Sequence, residues 1–483
     1  MFVTGMTTDL RRIIRINRRI MRPFQSFQNF DVYPDRLVPK RDWVSDATAT
    51  TNKLTRFVYA DNVGGGYTLW GLGLDGSGHP LLLKKSTNPL TDAWLTPTNN
   101  VCANAAGILS NAWLFAYQGY LYFPSNGAIS RYNIATATMT SNWQTISPTN
   151  TAMPVIHPRS GNAYFFFDTG VYRLDPSSNW VLAQQVPANM YITSGTHLGN
   201  NLAIGTAPLN NQSHSAVYLW DLGETTLPIA NTFSETIDWG IGTLMHLANI
   251  HGYLVGVSNE YMDNATSINK GRMVSRVYSG STAQETSYLT VDNTVSGPIS
   301  ASYFVDTEKL YFPAAHTFKG DARVGIWSLT QAGTFAIELT EPTTTSAQRF
   351  TSCFRLGAAW FIARNDNSVF RQNDQASFTN TSIVETAVYG NRFNGTQFFG
   401  SQVAFEPLTS GQSVMMKYRP VGTNTWTLMK TENKVGNTNL QAISTSIKQA
   451  PLLSEYQFRV ESIGATITGI TWETEAYDTN IYG

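Results

Sequence analysis

The stretch GYLYFPSNGAISRYN, residues 119–133, decides how the rest of the chain is read. An apolar run ends at Asn126-Gly127, and a second alternating run follows it. Asn-Gly between two such runs signals a hairpin, because the favoured two-residue turn needs positive φ at both central positions. Part of the pattern returns as KLYFP at 309–313, followed by ARVGIWSL at 322–329.

Seven segments share a turn residue followed by an aromatic or aliphatic strand. They are GGGYTLWGLG from 64, QGYLYFPSNG from 118, SGNAYFFFDT from 160, LGNNLAIGTA from 198, IHGYLVGVSN from 250, DTEKLYFPAA from 306 and RLGAAWFIAR from 355. Taking Leu69, Leu121, Tyr164, Leu202, Leu254, Leu310 and Trp360 as equivalent gives spacings of 52, 43, 38, 52, 56 and 50. A second alternating stretch follows six of them, from residues 128, 170, 216, 273, 323 and 368, and PLLLKKS from 80 takes that place in the first. Alternation with period two puts one face of each strand into a core. Repeats of roughly 40 to 50 residues with about four short strands each predict a β-propeller, because one blade cannot bury both faces and must stack on its neighbours. Seven units predict a seven-bladed ring over residues 54–393. A strand from residues 28 to 60 is expected to pair into the last blade and close the circle.

From about 396 the spacing shortens to turns every 8 to 15 residues, which predicts a small antiparallel β-sandwich over 394–483, hinged near 391–395. Leu428, Phe458, Val460, Ile467 and Trp472 are expected in its core. Residues 1–53 form an N-terminal arm with the ring-closing segment. The arm LRRIIRINRRIMR, 10–22, holds Arg11, Arg12, Arg15, Arg18, Arg19 and Arg22 among apolar residues that include Ile13 and Ile14. Read as a helix, it sets an apolar strip against an arginine face. Such a peptide suits a membrane surface, nucleic acid or an acidic face of a neighbouring subunit, or is simply a packed or frayed terminus; docking on a neighbouring subunit is the reading preferred here.

Composition agrees with an all-β chain. Only 14% of the 483 residues are charged, while Phe, Tyr and Trp number 25, 22 and 12. Lys plus Arg equal Asp plus Glu at 33 each, so no global field draws nucleic acid or membrane, and copies repel one another little. The two cysteines, Cys102 and Cys353, do not make a disulfide framework and are expected as buried thiols. With no apolar core of signal-peptide length and no long apolar segment, the expectation is a soluble, cytoplasmically made protein.

No catalytic constellation emerges. Glycoside hydrolysis needs two carboxylates across one bond. Asp75, Asp168, Asp175, Asp221 and Asp306 sit in turn contexts, where capping the local backbone is the expected task. The seven histidines show no metal-binding spacing, Gly64–Gly66 lead into Tyr67 rather than a phosphate-binding helix, and DGSGH at 75–79 is too short for a calcium loop. The sequence therefore predicts a non-enzymatic chain without metal or cofactor. Exposed Tyr and Trp on polar loops leave carbohydrate binding open.

An arm, a propeller and a sandwich in this order resemble virion proteins of tailed bacteriophages, namely tail hub or nozzle proteins and tail-tip or fibre proteins. The segments FQSFQNFDVYPDRLVPKRDW (24–43), MKYRPVGTNTWTLM (416–429), EYQFRVES (455–462) and ITGITWETE (467–475) carry the resemblance. It implies a structural role in a virion tail, with neighbouring virion proteins and further copies of the chain as partners and passive contact with DNA in a channel. It also leaves open an attachment protein for a host surface glycan or receptor, and third a propeller glycoside hydrolase. No functional residue is transferred by it.

Overall fold

The computed structural model describes residues 14–16, 19–21, 24–32, 36–40, 43–46, 56–62, 66–85, 93–103, 112–125, 127–146, 148–210, 213–223, 232–261, 271–291, 297–298, 303–318, 321–340, 350–356, 359–364, 368–372, 381–386, 389–390, 396–420, 423, 425–443 and 455–476. Every regular element among them is a strand. The fold is all-β and propeller-like: the described residues form six four-stranded antiparallel sheets and, between the fifth and the last of them in chain order, a similar antiparallel unit within an 11-stranded sheet.

The first unit comprises Arg56–Asn62, Gly66–Leu74, Pro80–Lys85 and Trp94–Leu95. The second comprises Phe115–Tyr117, Tyr120–Ser125, Ala128–Asn133 and Thr138–Gln144. The third runs from Thr151–Ile156 to Trp180–Gln185, the fourth from Met190–Leu198 to Glu235–Ile241, and the fifth from Thr243–Ile250 to Ala283–Val291. In the sixth, two short strands, Gly297–Pro298 and Phe304–Val305, together take the first position against Lys309–Phe318. The seventh has Phe350–Leu356, Ala359–Arg364 and Val369–Gln372, and its fourth strand is Trp43–Ser45 from the N-terminal segment. The seven sequence repeats are the second strands of these units, and the alternating stretches after them are the third. Their tight turns use positive φ where the twist of a hairpin demands it: Gln118 and Gly119 lie at 49° and 75° between the paired Tyr117 and Tyr120.

Seven apolar clusters join each unit to the next, and one of them packs Ala359, Phe361 and Val369 of the seventh against Phe57, Leu69 and Leu83 of the first. All seven positions aligned in the sequence are buried. Six of them face the preceding unit, whereas Tyr164 faces the following one, beside Leu202 and Ile204. Phe165 occupies the equivalent place toward the second unit. One residue of slip exchanges the two faces of a strand, and the run AYFFF, apolar on both faces, hides that slip from a pattern reading.

The C-terminal strands form two sheets across one core. Val384, Val414, Met416, Phe458 and Val460 come from one side, and Phe30, Leu37, Val403, Phe405, Leu440, Ile467 and Ile470 from the other. Ser382–Thr386 and Tyr389–Gly390, placed with the repeats in the sequence reading, pair instead with Glu455–Ile463. Leu428 is 54% exposed and not in the core. It lies on Thr427–Glu432, the last strand of its sheet, where the pairing slips between Met416 and Lys417 and sets Leu428 opposite Lys417, leaving Met429 to pack inward. The side chain of Trp472 and the hinge at 391–395 lie outside the described residues.

The N-terminal segment threads through all of this. Phe24–Gln28 lies between Phe335–Thr340 of the sixth unit, which it meets in parallel, and Ser382–Thr386, which it meets antiparallel. One continuous sheet thereby runs from the sixth unit into the C-terminal half. Phe30–Val32 and Leu37–Pro39 then join the opposite C-terminal sheet. Further upstream the helical reading of 10–22 is corrected at its described residues: Ile14–Ile16 and Arg19–Met21 are strands that pair antiparallel. β-Branched isoleucines alternating with arginine at 14–16 favour a strand over a helix.

Candidate functional site

Two regions concentrate polar chemistry. The first is the clasp that fixes the thread. Asn29 stands where the chain leaves one C-terminal sheet for the other, buried and at φ 58°. Asparagine tolerates this left-handed conformation better than other side chains that are not glycine. Its Nδ2 donates to Thr381 O (3.0 Å), and its own carbonyl accepts from Lys40 N and Ser382 Oγ, both at 2.8 Å. Lys40 reaches Glu338 of the sixth unit at 2.6 Å, and Lys309 reaches the other carboxylate oxygen at 2.6 Å. Ser328 Oγ donates to the same group (2.7 Å). Burial alone would raise the Glu338 carboxyl, but Lys309 and Lys40 outweigh it and hold it well below the usual range. Asp46 closes the second half of the clasp. It accepts from Lys85 Nζ (2.7 Å) and Trp94 Nε1 (3.0 Å) of the first unit, while its own N–H donates to Val369 O of the seventh (2.9 Å). Arg56, buried at the start of the first unit, donates to Ala112 O and to Thr351 O, and desolvation pulls its guanidinium down to about 10.

The carboxylates singled out in the sequence are turn caps. Asp75 accepts from the N–H groups of Ser77 and His79, Asp168 from Thr149 and Asn150, and Asp175 from Ser177 and Asn179. Asp221 accepts from Gly223, and Asp306 from Glu308 and Lys309. Hydrogen bonds from His79 and Asn179 hold the Asp75 and Asp175 carboxyls below their ordinary range. Cys102 and Cys353 are both unbridged and buried. Among the described residues no cluster of His, Cys, Asp and Glu could hold a metal ion, and no helix is long and apolar enough to cross a membrane. Of the arm residues, Ile14, Arg15 and Arg19 lie in the N-terminal hairpin, with Arg15 opposite Ile20 and Arg19 opposite Ile16. Arg11, Arg12, Ile13, Arg18 and Arg22 lie outside the described residues.

The second region was not singled out from sequence, although half of it lies in the opening stretch. Tyr120, Tyr122 and Arg131 share one face of the second unit, since Tyr122 pairs with Arg131 and Tyr120 lies two residues before it. The Arg131 guanidinium is 4.5 Å from the Tyr120 ring centroid and 4.6 Å from that of Trp143. Trp143 meets Trp180 of the third unit edge to face at 5.3 Å, and Trp180 stacks on Tyr172 at 5.3 Å. Burial pushes the Tyr122 hydroxyl, beside Arg131, up to about 12. No sequence period marks Trp143, because a bulge delivers it: the pairing of Ala128–Asn133 with Thr138–Gln144 slips between Ile129 and Arg131.

No family model matches the chain, and no curated protein matches it. Among solved structures it is similar to BamB from Moraxella catarrhalis, at 13% identity and a TM-score of 0.38, covering 72% of this chain and 94% of that one. It is similar to an exo-β-1,3-galactanase from Phanerochaete chrysosporium at 10% identity and a TM-score of 0.30, covering 78% and 98%. A third likeness is to the extracellular domain of a one-component system from B. thetaiotaomicron, at 11% identity and a TM-score of 0.42, covering 90% and 59%. At these values no activity is carried over.

Proposed function

We propose that the chain is a non-enzymatic structural component of a phage virion tail, a hub, nozzle or tip protein that assembles through protein–protein contacts. In this reading the seven units form a closed seven-bladed ring and the C-terminal sheets form a β-sandwich. One observation carries the proposal: the strands Phe24–Gln28, Phe30–Val32, Leu37–Pro39 and Trp43–Ser45 pair in turn with the sixth unit, both C-terminal sheets and the seventh unit. Paired strands thereby link the two halves, which suits a part that bears load in an assembly. The resemblance to tailed-phage virion proteins supplies the rest. Neighbouring virion proteins and further copies are the partners, the virion tail is the location, and DNA touches the protein only in passing. The turn aspartates, occupied in capping backbone amides, favour this over a hydrolase.

The N-terminal hairpin, with its arginines, is then the assembly contact. Full-length protein and a form lacking residues 1–22 should differ in solution mass by light scattering, the full chain forming rings visible in negative stain. The shortened form should keep the same circular dichroism and melting temperature. Equal incorporation of both forms into particles would remove the arm from the assembly role. Host-glycan attachment is the second reading, and the partly exposed aromatic cluster of Trp143, Trp180 and Tyr172 favours it.

A further inference from the structure

Arg131 carries a half-buried charge without a counter-ion. Among the described residues it makes no ion pair, and its buried Nε has no hydrogen-bond partner. Contact with the Tyr120 and Trp143 rings, and the Tyr122 hydroxyl beside it, offset part of the cost of removing a guanidinium from water, but they leave the Nε–H without an acceptor. The surroundings are built rather than loose. Asn142 takes φ 53° in the bulge and donates its N–H to Ser130 Oγ at 3.1 Å. Ser130 also contacts Ser125 at 3.1 Å and Cys102 at 3.3 Å, and Ser141 contacts Cys102 at 3.1 Å. That buried network fixes the backbone presenting Trp143.

We propose that this aromatic surface between the second and third units binds a saccharide bearing a carboxylate, of the uronic acid class. The aliphatic face of a pyranose ring packs on the partly exposed indoles of Trp143 and Trp180, and the carboxylate accepts from the edge of Arg131. Exposed Thr140 and Asn142 offer uncharged groups to sugar hydroxyls on the same strand. A single guanidinium suits one negative charge; the rings of this cluster contact no second cation among the described residues, as a phosphate would require. The inference stands apart from the assembly role, since it uses no residue of the thread or the arm.

Titration of the full-length protein with trigalacturonate, followed by tryptophan fluorescence and calorimetry, tests it against the fully methyl-esterified trisaccharide. The acid should bind saturably, and the ester roughly tenfold or more weakly, the usual worth of a charged hydrogen bond. Arg131→Gln should reproduce the ester's loss, and Arg131→Lys should fall between, keeping the charge without the planar fork. The acid–ester comparison needs no variant, so a folding defect in either leaves it intact. Equal binding of acid and ester, or no saturable binding at millimolar trigalacturonate, overturns the proposal. A glutamate tripeptide binding as tightly as trigalacturonate would assign this surface to acidic peptides instead.

Discussion

Glu338 shows how much of this fold hangs on single side chains. It sits in FAIELT, a strand otherwise apolar or uncharged, and gathers Lys40 from the thread and Lys309 from its own unit. Glu338→Gln removes the charge that both lysines face and should cost about 3–5 kcal/mol in urea unfolding, the usual penalty for breaking a buried pair. The pH dependence has a definite sign. A carboxyl held below its ordinary value of 4.5 contributes stability above that pH and loses it as the pH falls further. Wild type should therefore lose stability below about pH 4.5 more steeply than Glu338→Gln, whose acid limb lacks this group. At Asn29, glycine should be tolerated apart from the lost side-chain bond to Thr381, whereas valine should cost several kcal/mol in the left-handed region. Asp75 and Asp175 were readable from sequence because a turn cap and its amides lie within four residues. Lys40 and Glu338 were not, being 298 residues apart. Arg131 was visible in the opening hairpin, yet Trp143 reaches it only through a bulge that sequence alternation does not mark.

The elements most legible in the sequence are the hairpins, since each is two alternating runs joined by a turn of recognisable residues. Strands short or split escape that reading. Trp43–Ser45 spans three residues, and the first strand of the sixth unit is broken into two pairs. Trp43–Ser45 nonetheless completes the seventh unit, and Asp46 after it binds the first. Removal of residues 1–22 should leave the melting temperature unchanged, whereas removal of residues 1–46 should lower it sharply or give an aggregating chain with an open strand edge. The same logic separates two residues once grouped together. Leu428→Thr should change stability by no more than about 0.5 kcal/mol, as at exposed sites generally. Phe458→Ala should cost about 3–5 kcal/mol, because its ring lies in the core shared by the two C-terminal sheets.

At the scale of the whole molecule, the thread changes what the two halves are. The sequence reading divides the chain at 393, because the turn spacing shortens there, and pairing across several hundred residues leaves no local trace. The structure instead continues the sixth unit through Phe24–Gln28 into the C-terminal sheet. Units in a ring stabilise one another through neighbours, so a thread that spans the last two units and the C-terminal core should make them open together. Hydrogen exchange with mass spectrometry across a urea series measures this directly. Phe335–Thr340, Val369–Gln372 and Ser413–Pro420 should lose protection in one shared transition, and in the chain lacking residues 1–46 Ser413–Pro420 should separate from the other two. If Ser413–Pro420 exchanges independently in the intact chain, the halves are not one body and the central claim fails.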